Sequence, residues 1–383
     1  MKAIYNGIIV TETDELKGKA IVFDETIINI CDEADVPKSA ELIDAKGGYI
    51  LPGLIDVHIH GQIGLEVSFA TLSELEQMSQ HLLRFGVTAW CPTTATLSKE
   101  QLEKAFNVVR EAKQKTEKGE WNGASVLGVN SEGPFINYEK RGAQAPQYII
   151  KPDAQFIIDN RDIVKLVTIA PEVEGGIEFI KEITEKTDVV ASLGHSSADY
   201  ETAVKAIEAG ATHATHTFNA MPPLNHRDPG LVGAVLTNDK VYCELIADTV
   251  HVNPALYELV ARQKGERLVL ITDNINPAGL PDGEYSSGAL DVKLHGLSCT
   301  LSDGTIAGSV YHFNTAIRNF NEHTSLPLHE IVKAASLNPA TAIGENEKRG
   351  SLKIGKRADI IITDKDFNVK YSAILGKVWY TNI

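Results

Sequence analysis

Cysteine is scarce in this chain, and so is positive charge. Among 383 residues there are only four cysteines, Cys31, Cys91, Cys243 and Cys299, and no two stand at a Cys-x-x-Cys spacing. That excludes a zinc ribbon, a dithiol redox pair and a small disulfide-stapled scaffold. Reduced, buried thiols of a cytoplasmic protein are expected instead. Lysine and arginine number 36 against 51 aspartates and glutamates, a net charge of −15. A nucleic-acid-binding protein would present a basic face, so nucleic acid is not an expected partner. No stretch approaches the about 18 apolar residues of a membrane span. The apolar start, Met1–Val10, is broken by Asn6 and Gly7 and is too short for a signal peptide. Neither a membrane partner nor a low-complexity segment is expected. What is present is a 43% hydrophobic composition, enough to fill a large core, which excludes disorder as the main state.

Both ends of the chain look alike. Ala20–Phe23 and Ile27–Ile30 are short apolar segments around Asp24-Glu25-Thr26, and Ala358–Thr363 and Ile374–Tyr380 have the same character. They predict one small β domain, a β-sandwich, built from residues 1–50 and 346–383. Between them, residues 51–345 alternate apolar runs with helical patterns, the mark of βα units and a parallel sheet. Eight runs are legible: Leu54–His60, Val87–Cys91, Ser125–Ser131, Val164–Ala170, Val189–Gly194, Thr212–Thr217, Val241–Ala247 and Leu268–Thr272. Helical segments are predicted at Leu72–Phe85, Lys99–Lys118, Asp153–Asn160, Gly176–Lys186, Ala198–Ala209 and Pro254–Lys264. In Lys99–Lys118 the apolar residues Leu102, Ala105, Phe106 and Val109 fall at helical spacing among Glu and Lys, as on a surface helix. Eight βα repeats close into a (β/α)8 barrel, so the fold class is α/β.

The chemistry stands at the ends of the runs. The first ends in His58-Ile59-His60, the third in Glu132-Gly133-Pro134, the fifth in His195 and the sixth in His216. The seventh leads to Asp248 and His251, and the eighth to Asp273. In a barrel these ends meet on the one face where active sites lie. His58 and His60, two apart on a strand, point the same way. A lone His-x-His arises often by chance, and a single histidine after an apolar run is usually a satisfied core residue. Together, four imidazoles and the carboxylates Glu132 and Asp273 make a donor set for one or two divalent ions with an open water position. Zinc, iron, manganese and cobalt all suit such donors. Asp273 is the natural acid/base for a water bound there.

These residues carry a resemblance. Leu51-Pro52-Gly53-Leu54-Ile55-Asp56-Val57-His58-Ile59-His60-Gly61 is similar to the opening of the amidohydrolase superfamily. Glu132-Gly133-Pro134-Phe135, Gly194-His195-Ser196, Thr215-His216-Thr217-Phe218-Asn219-Ala220-Met221, Arg227-Asp228-Pro229-Gly230, Thr272-Asp273 and Gly279-Leu280-Pro281-Asp282-Gly283 narrow it to a resemblance with the N-acetylglucosamine-6-phosphate deacetylase family. Gly355-Lys356-Arg357-Ala358-Asp359 resembles that family's return into its small β domain. The resemblance implies a homodimeric barrel enzyme that hydrolyses the acetamide of N-acetylglucosamine 6-phosphate, its site completed by the partner subunit. It implies metal ligation by Glu132, His195 and His216, with His58 and His60 for a second ion, and acid/base catalysis by Asp273. It implies sugar and phosphate contacts from Ala143, Asn219, Ala220, Arg227, His251 and the turn Ile306-Ala307-Gly308, with His251 able to steady the oxyanion. Asn130-Ser131, Thr249, Asn274 and Gln144 depart from the family pattern, and none is expected to touch a ligand. A related N-acetylated sugar phosphate is an alternative substrate. A cyclic-amide hydrolase of the same superfamily is a weaker alternative, because its bridging lysine would end the fourth strand and Lys165 sits near that strand's start. A barrel kept only as a scaffold would show decayed ligand positions, and none has decayed.

Overall fold

The computed structural model describes residues 1–288 and 290–383. Eight parallel strands form the barrel: Leu54–Ile59, Val87–Thr94, Val129–Phe135, Val164–Ile169, Val190–Leu193, His213–Ala214, Tyr242–Ile246 and Leu268–Ile271. They are called the first to eighth strands below. The first pairs with the second, and each later strand with its predecessor. Every residue of the first, second and third strands is buried, as expected of parallel strands covered on both faces. Closure is made from the eighth strand back to the first. The Asp273 N–H donates to the His58 carbonyl at 2.8 Å, and the Thr272 hydroxyl donates to Asp56 Oδ2 at 2.6 Å.

The surrounding helices start where the sequence supplies caps. Thr71 with Glu74 and Ser98 with Gln101 form capping boxes on Leu72–Leu82 and Lys99–Glu117, and Asp153 and Asp199 cap Ala154–Asp159 and Tyr200–Glu208. Lys99–Glu117 buries Leu102, Ala105, Phe106, Val109 and Ala112 as one stripe and leaves its charges in water.

Several elements differ from the sequence reading. The third run splits at Gly128, whose φ of 143° breaks the strand, and Val129–Phe135 then continues through Glu132. Glu132 is therefore inside a strand and 2% exposed, rather than at the strand's end. The sixth run shrinks to His213–Ala214 because His216 has a φ of 28° and cannot stay extended, and Phe218 and Ala220 just beyond it, at 80° and 53°, continue the turn. Gly230–Thr237 is a helix that periodicity could not reveal, since it is apolar all round and almost wholly buried. After the eighth strand comes an unforeseen antiparallel sheet, Gly283–Ser287, Leu290–His295 and Ser298–Thr300, then the helices Phe313–His323, Leu328–Ala334 and Leu337–Ala342.

The two chain ends share a two-sheet unit. One sheet orders Ile27–Asp32, Lys19–Phe23, Lys2–Tyr5 and Glu41–Asp44. The other orders Lys377–Thr381, Val369–Ile374, Ile360–Thr363, Tyr49–Pro52, Ile8–Val10 and Glu15–Lys17. Ile4, Ile21, Phe23, Ile50, Ile360 and Tyr371 are buried between them. The expected boundary between residues 50 and 51 falls inside the strand Tyr49–Pro52, so Gly53 is the joint with the barrel. A Cβ on Gly53 would lie 2.0 Å from Thr88 Oγ1. Gly53→Ala is expected to lower the unfolding free energy by about 1–3 kcal/mol through overpacking. Denaturant unfolding checks this; an unchanged midpoint would show that the Thr88 strand yields without cost.

Candidate active site

At the carboxyl ends of the strands the polar side chains gather around Glu132. Its Oε1 is 2.9 Å from His216 Nε2, 3.2 Å from His195 Nε2 and 3.3 Å from His58 Nε2, and its Oε2 is 3.1 Å from His60 Nε2. Asp273 Oδ1 lies 3.3 Å from His58 Nε2 and 3.4 Å from His60 Nε2. All six residues of the expected donor set thus converge. His195, His216 and Asp273 reach inward because their backbones turn left-handed, with φ of 46°, 28° and 54°. Such strained conformations persist only where surrounding structure holds them, and they cluster at functional sites.

The donor set fits a cation. His58, His60 and Glu132, and likewise Glu132, His195 and His216, each bring one donor atom within 4.8 Å of the others. His58 and His195 have their Nδ1 atoms tied elsewhere, to Glu244 at 3.0 Å and to the Lys140 carbonyl at 2.8 Å, which leaves Nε2 facing the centre. The electrostatics agree. Burial works against charge on His60, but Glu132 and Asp273 outweigh it and hold the ring at about 9. At His58, burial is likewise overcome, by Glu244, Asp273 and Glu132, and the ring sits well above the usual histidine range. Burial would raise Glu132, yet His195, His58 and His60 hold it well below the usual carboxylate range. A field that keeps protons on buried imidazoles equally favours a divalent ion in their place.

Five of the six, His60, Glu132, His195, His216 and Asp273, line a cavity of about 950 Å³. Its wall includes Ala143, Asn219, Ala220, His251 and the turn Ile306-Ala307-Gly308, seven of the eight expected substrate contacts. The inserted antiparallel sheet packs with Ile275 in a small core that includes Val292, Leu294 and Cys299, and it holds that turn through the Ala307 N–H, which donates to the Cys299 carbonyl at 2.9 Å. His251 Nδ1 is bound by Asp248 Oδ2 at 2.7 Å, which leaves Nε2 for the cavity that the ring lines. Arg227 is the exception. It is exposed and outside the wall, whereas Lys140 and Arg141 line it.

One expectation about the departures from the family pattern is corrected. Gln144 does touch a residue of the expected donor set: its amide donates to Glu132 Oε2, and its carbonyl accepts from the Thr96 N–H at 2.7 Å. The reason is that residues 138–148 fold back over the third strand's end, a path no local pattern announces. The Asn274 backbone carbonyl also accepts from the N–H groups of His60 and Gly61, at 2.8 and 2.9 Å. Asn130 and Thr249 bond away from the cluster, to the Val57 carbonyl and the Tyr257 hydroxyl. Lys165 lies near Glu345 and the Ile343 carbonyl, each at 3.4 Å, away from the cluster. Sequence reasoning missed Glu244. Its signal was a carboxylate inside the apolar run Val241–Ala247, a position that demands a partner.

A (β/α)8 barrel with a carboxylate at the centre of four imidazoles, at the face where the strands end, defines the class of hydrolases built to hold divalent ions. The chain matches the amidohydrolase family over residues 49–379, and it belongs to that family. It is 35% identical over 377 residues to an N-acetylglucosamine-6-phosphate deacetylase of Bacillus subtilis (strain 168), covering 97% of this chain and 95% of that protein. It is also 35% identical over 347 residues to an N-acetylgalactosamine-6-phosphate deacetylase of Escherichia coli O157:H7, with 90% of each chain covered. The solved structure of N-acetylglucosamine-6-phosphate deacetylase from Pasteurella multocida superposes with a TM-score of 0.92 at 33% identity, over 100% of both chains.

Proposed function

We propose that the chain removes the acetyl group of N-acetylglucosamine 6-phosphate, giving acetate and glucosamine 6-phosphate. The observation that carries this reading is the Glu132-centred cluster on the wall of a cavity lined also by seven of the eight residues expected to touch the sugar phosphate. Glu132, His195 and His216 would hold one divalent ion, and His58 and His60 with Glu132 a second. Zinc, iron, manganese or cobalt in that position would polarise the acetamide carbonyl and make water a better nucleophile. Asp273, on the cavity wall, takes the proton of the attacking water and returns it to the amide nitrogen, which leaves only as an amine. His251, steadied by Asp248, donates a hydrogen bond to the oxygen on which charge develops. Water oxygen joins the acetyl carbon, the carbon–nitrogen bond breaks, and the proton ends on nitrogen. The reading includes a cytoplasmic location, supported by four unpaired cysteines. Among the described residues no helix is long and apolar enough to cross a membrane.

The phosphate and the homodimer belong together in this reading. The chain's −15 charge repels a dianionic substrate at long range, so a local cation must offset it. Arg227 stands outside its own cavity, and in this reading it meets the phosphate in the site of a second copy, which it completes. Charge-assisted hydrogen bonds contribute about 1.5–3 kcal/mol, so Arg227→Ala is expected to raise KM for the phosphorylated sugar roughly tenfold or more. Hydrolysis of unphosphorylated N-acetylglucosamine should hardly change. Equal losses of kcat/KM on both sugars would mean that another group reads the phosphate, Lys140 and Arg141 being the next to vary. The reading as a whole is tested by acetate release from the 6-phosphates of N-acetylglucosamine and N-acetylgalactosamine, alongside elemental analysis of the purified protein. Faster turnover of the galactosamine epimer would transfer the assignment to it, and turnover of neither would end it.

A further inference from the structure

We propose that Glu244, which is not one of the donors, is the positioning residue that decides whether the His58–His60–Glu132 half of the cluster holds an ion of its own. This rests on the metal-dependent reading above, but not on the identity of the substrate.

Glu244 sits at the centre of the seventh strand, Tyr242–Ile246, inside the barrel and 0% exposed. One oxygen, Oε2, accepts two hydrogen bonds: from His58 Nδ1 at 3.0 Å and from the His216 backbone N–H at 2.9 Å. Its other oxygen, Oε1, has no hydrogen-bond partner among the described residues. The nearest cationic candidate for it, His213 Nδ1, is 3.8 Å away and is bonded instead to the Ser192 hydroxyl at 2.9 Å. A buried carboxylate is costly unless it is paired, and the close pair this one makes is with His58, at 3.0 Å. The side-chain bonds this one makes lead to two residues of the cluster, which points to a role there.

That role follows from the form His58 must take to donate to a cation, a neutral imidazole with one N–H and one lone pair. His58 Nε2 faces Glu132 Oε1 and Asp273 Oδ1, each at 3.3 Å. Those carboxylates draw the ring's proton to Nε2, where it would occupy the position a cation needs. Glu244 offers the competing acceptor at Nδ1. With the proton held there, the Nε2 lone pair is presented to the cluster. The other half is less dependent, because His195 takes its orientation from the Lys140 carbonyl. His216 owes to Glu244 only the anchoring of its backbone N–H, beside a φ of 28°.

The test is metal binding without substrate, on the full chain. Wild type, Glu244→Leu and Glu244→Gln are dialysed against buffered zinc for stoichiometry and titrated with cobalt(II) for visible absorption. Wild type is expected to bind two ions per chain. Glu244→Leu should bind the first nearly normally, while the second weakens about 100-fold and its cobalt absorption is lost; Glu244→Gln, whose carbonyl can still accept from Nδ1, should recover most of it, with a loss of about tenfold. Saturation of wild type at one ion would overturn the proposal, as would a second ion of unchanged affinity in Glu244→Leu or equal weakening of both. If the leucine variant does not fold, the glutamine variant decides: an unweakened second ion would overturn the proposal. Acetate release plays no part in these measurements, so a failure of the deacetylase assignment and a failure of this proposal are told apart.

Discussion

Asp273→Asn is expected to lower kcat by about 10²–10⁴-fold, the usual contribution of a positioned acid/base group, with the fold and the metal content retained. Asparagine is nearly isosteric with aspartate and, with glycine and aspartate, is among the residues that best tolerate a left-handed backbone. The φ of 54° at position 273 is therefore accommodated. The closure bond from the residue 273 N–H to the His58 carbonyl is a backbone bond and survives the change. The three residues expected to hold the first ion, Glu132, His195 and His216, are untouched. What is lost is a carboxylate able to take a proton from water and hand it to nitrogen. Steady-state kinetics with elemental analysis on the same preparation checks this. A fall of less than about tenfold at full metal occupancy, well below that range, would move the proton-transfer role to another group.

His195→Asn and His216→Asn are expected to remove most of the bound metal and the activity together. Each deletes a donor 3.2 or 2.9 Å from Glu132 Oε1, at the meeting point of both halves of the cluster. The loss in metal affinity should exceed the about 10–100-fold that follows from removing a group that merely orients a donor. Asparagine again suits the positive φ at both positions, which keeps misfolding from imitating metal loss. At His195 a second effect is added, because the ring also anchors the Lys140 carbonyl and with it the segment that carries Ala143 and Gln144. Variants that keep full metal content and full turnover after dialysis would remove both histidines from the centre.

Much of the site could be read from local signals. A histidine or carboxylate closing a short apolar run needs no knowledge of distant residues, and five such endings sufficed to mark His58, His60, Glu132, His195, His216 and Asp273 for the barrel face. Caps such as Thr71 and Ser98 likewise start their helices by contacts within three residues. Other features were hidden for physical reasons. The Gly230–Thr237 helix has no polar face to give it a period, and the inserted sheet is short and half exposed.

The sequence by itself determined the fold class and the kinds of donor atom in the centre, because both follow from periodicity and residue chemistry over a few positions. Only the tertiary structure decided that Glu132 lies within a strand and faces all four imidazoles, that Gln144 leans on it, that Glu244 holds His58 and His216 from beneath, and that Arg227 stands outside its own cavity. These are matters of distance between residues up to 186 positions apart. They are fixed by closure of the eighth strand on the first and by left-handed turns at three strand ends, and neither leaves a periodic trace in the chain.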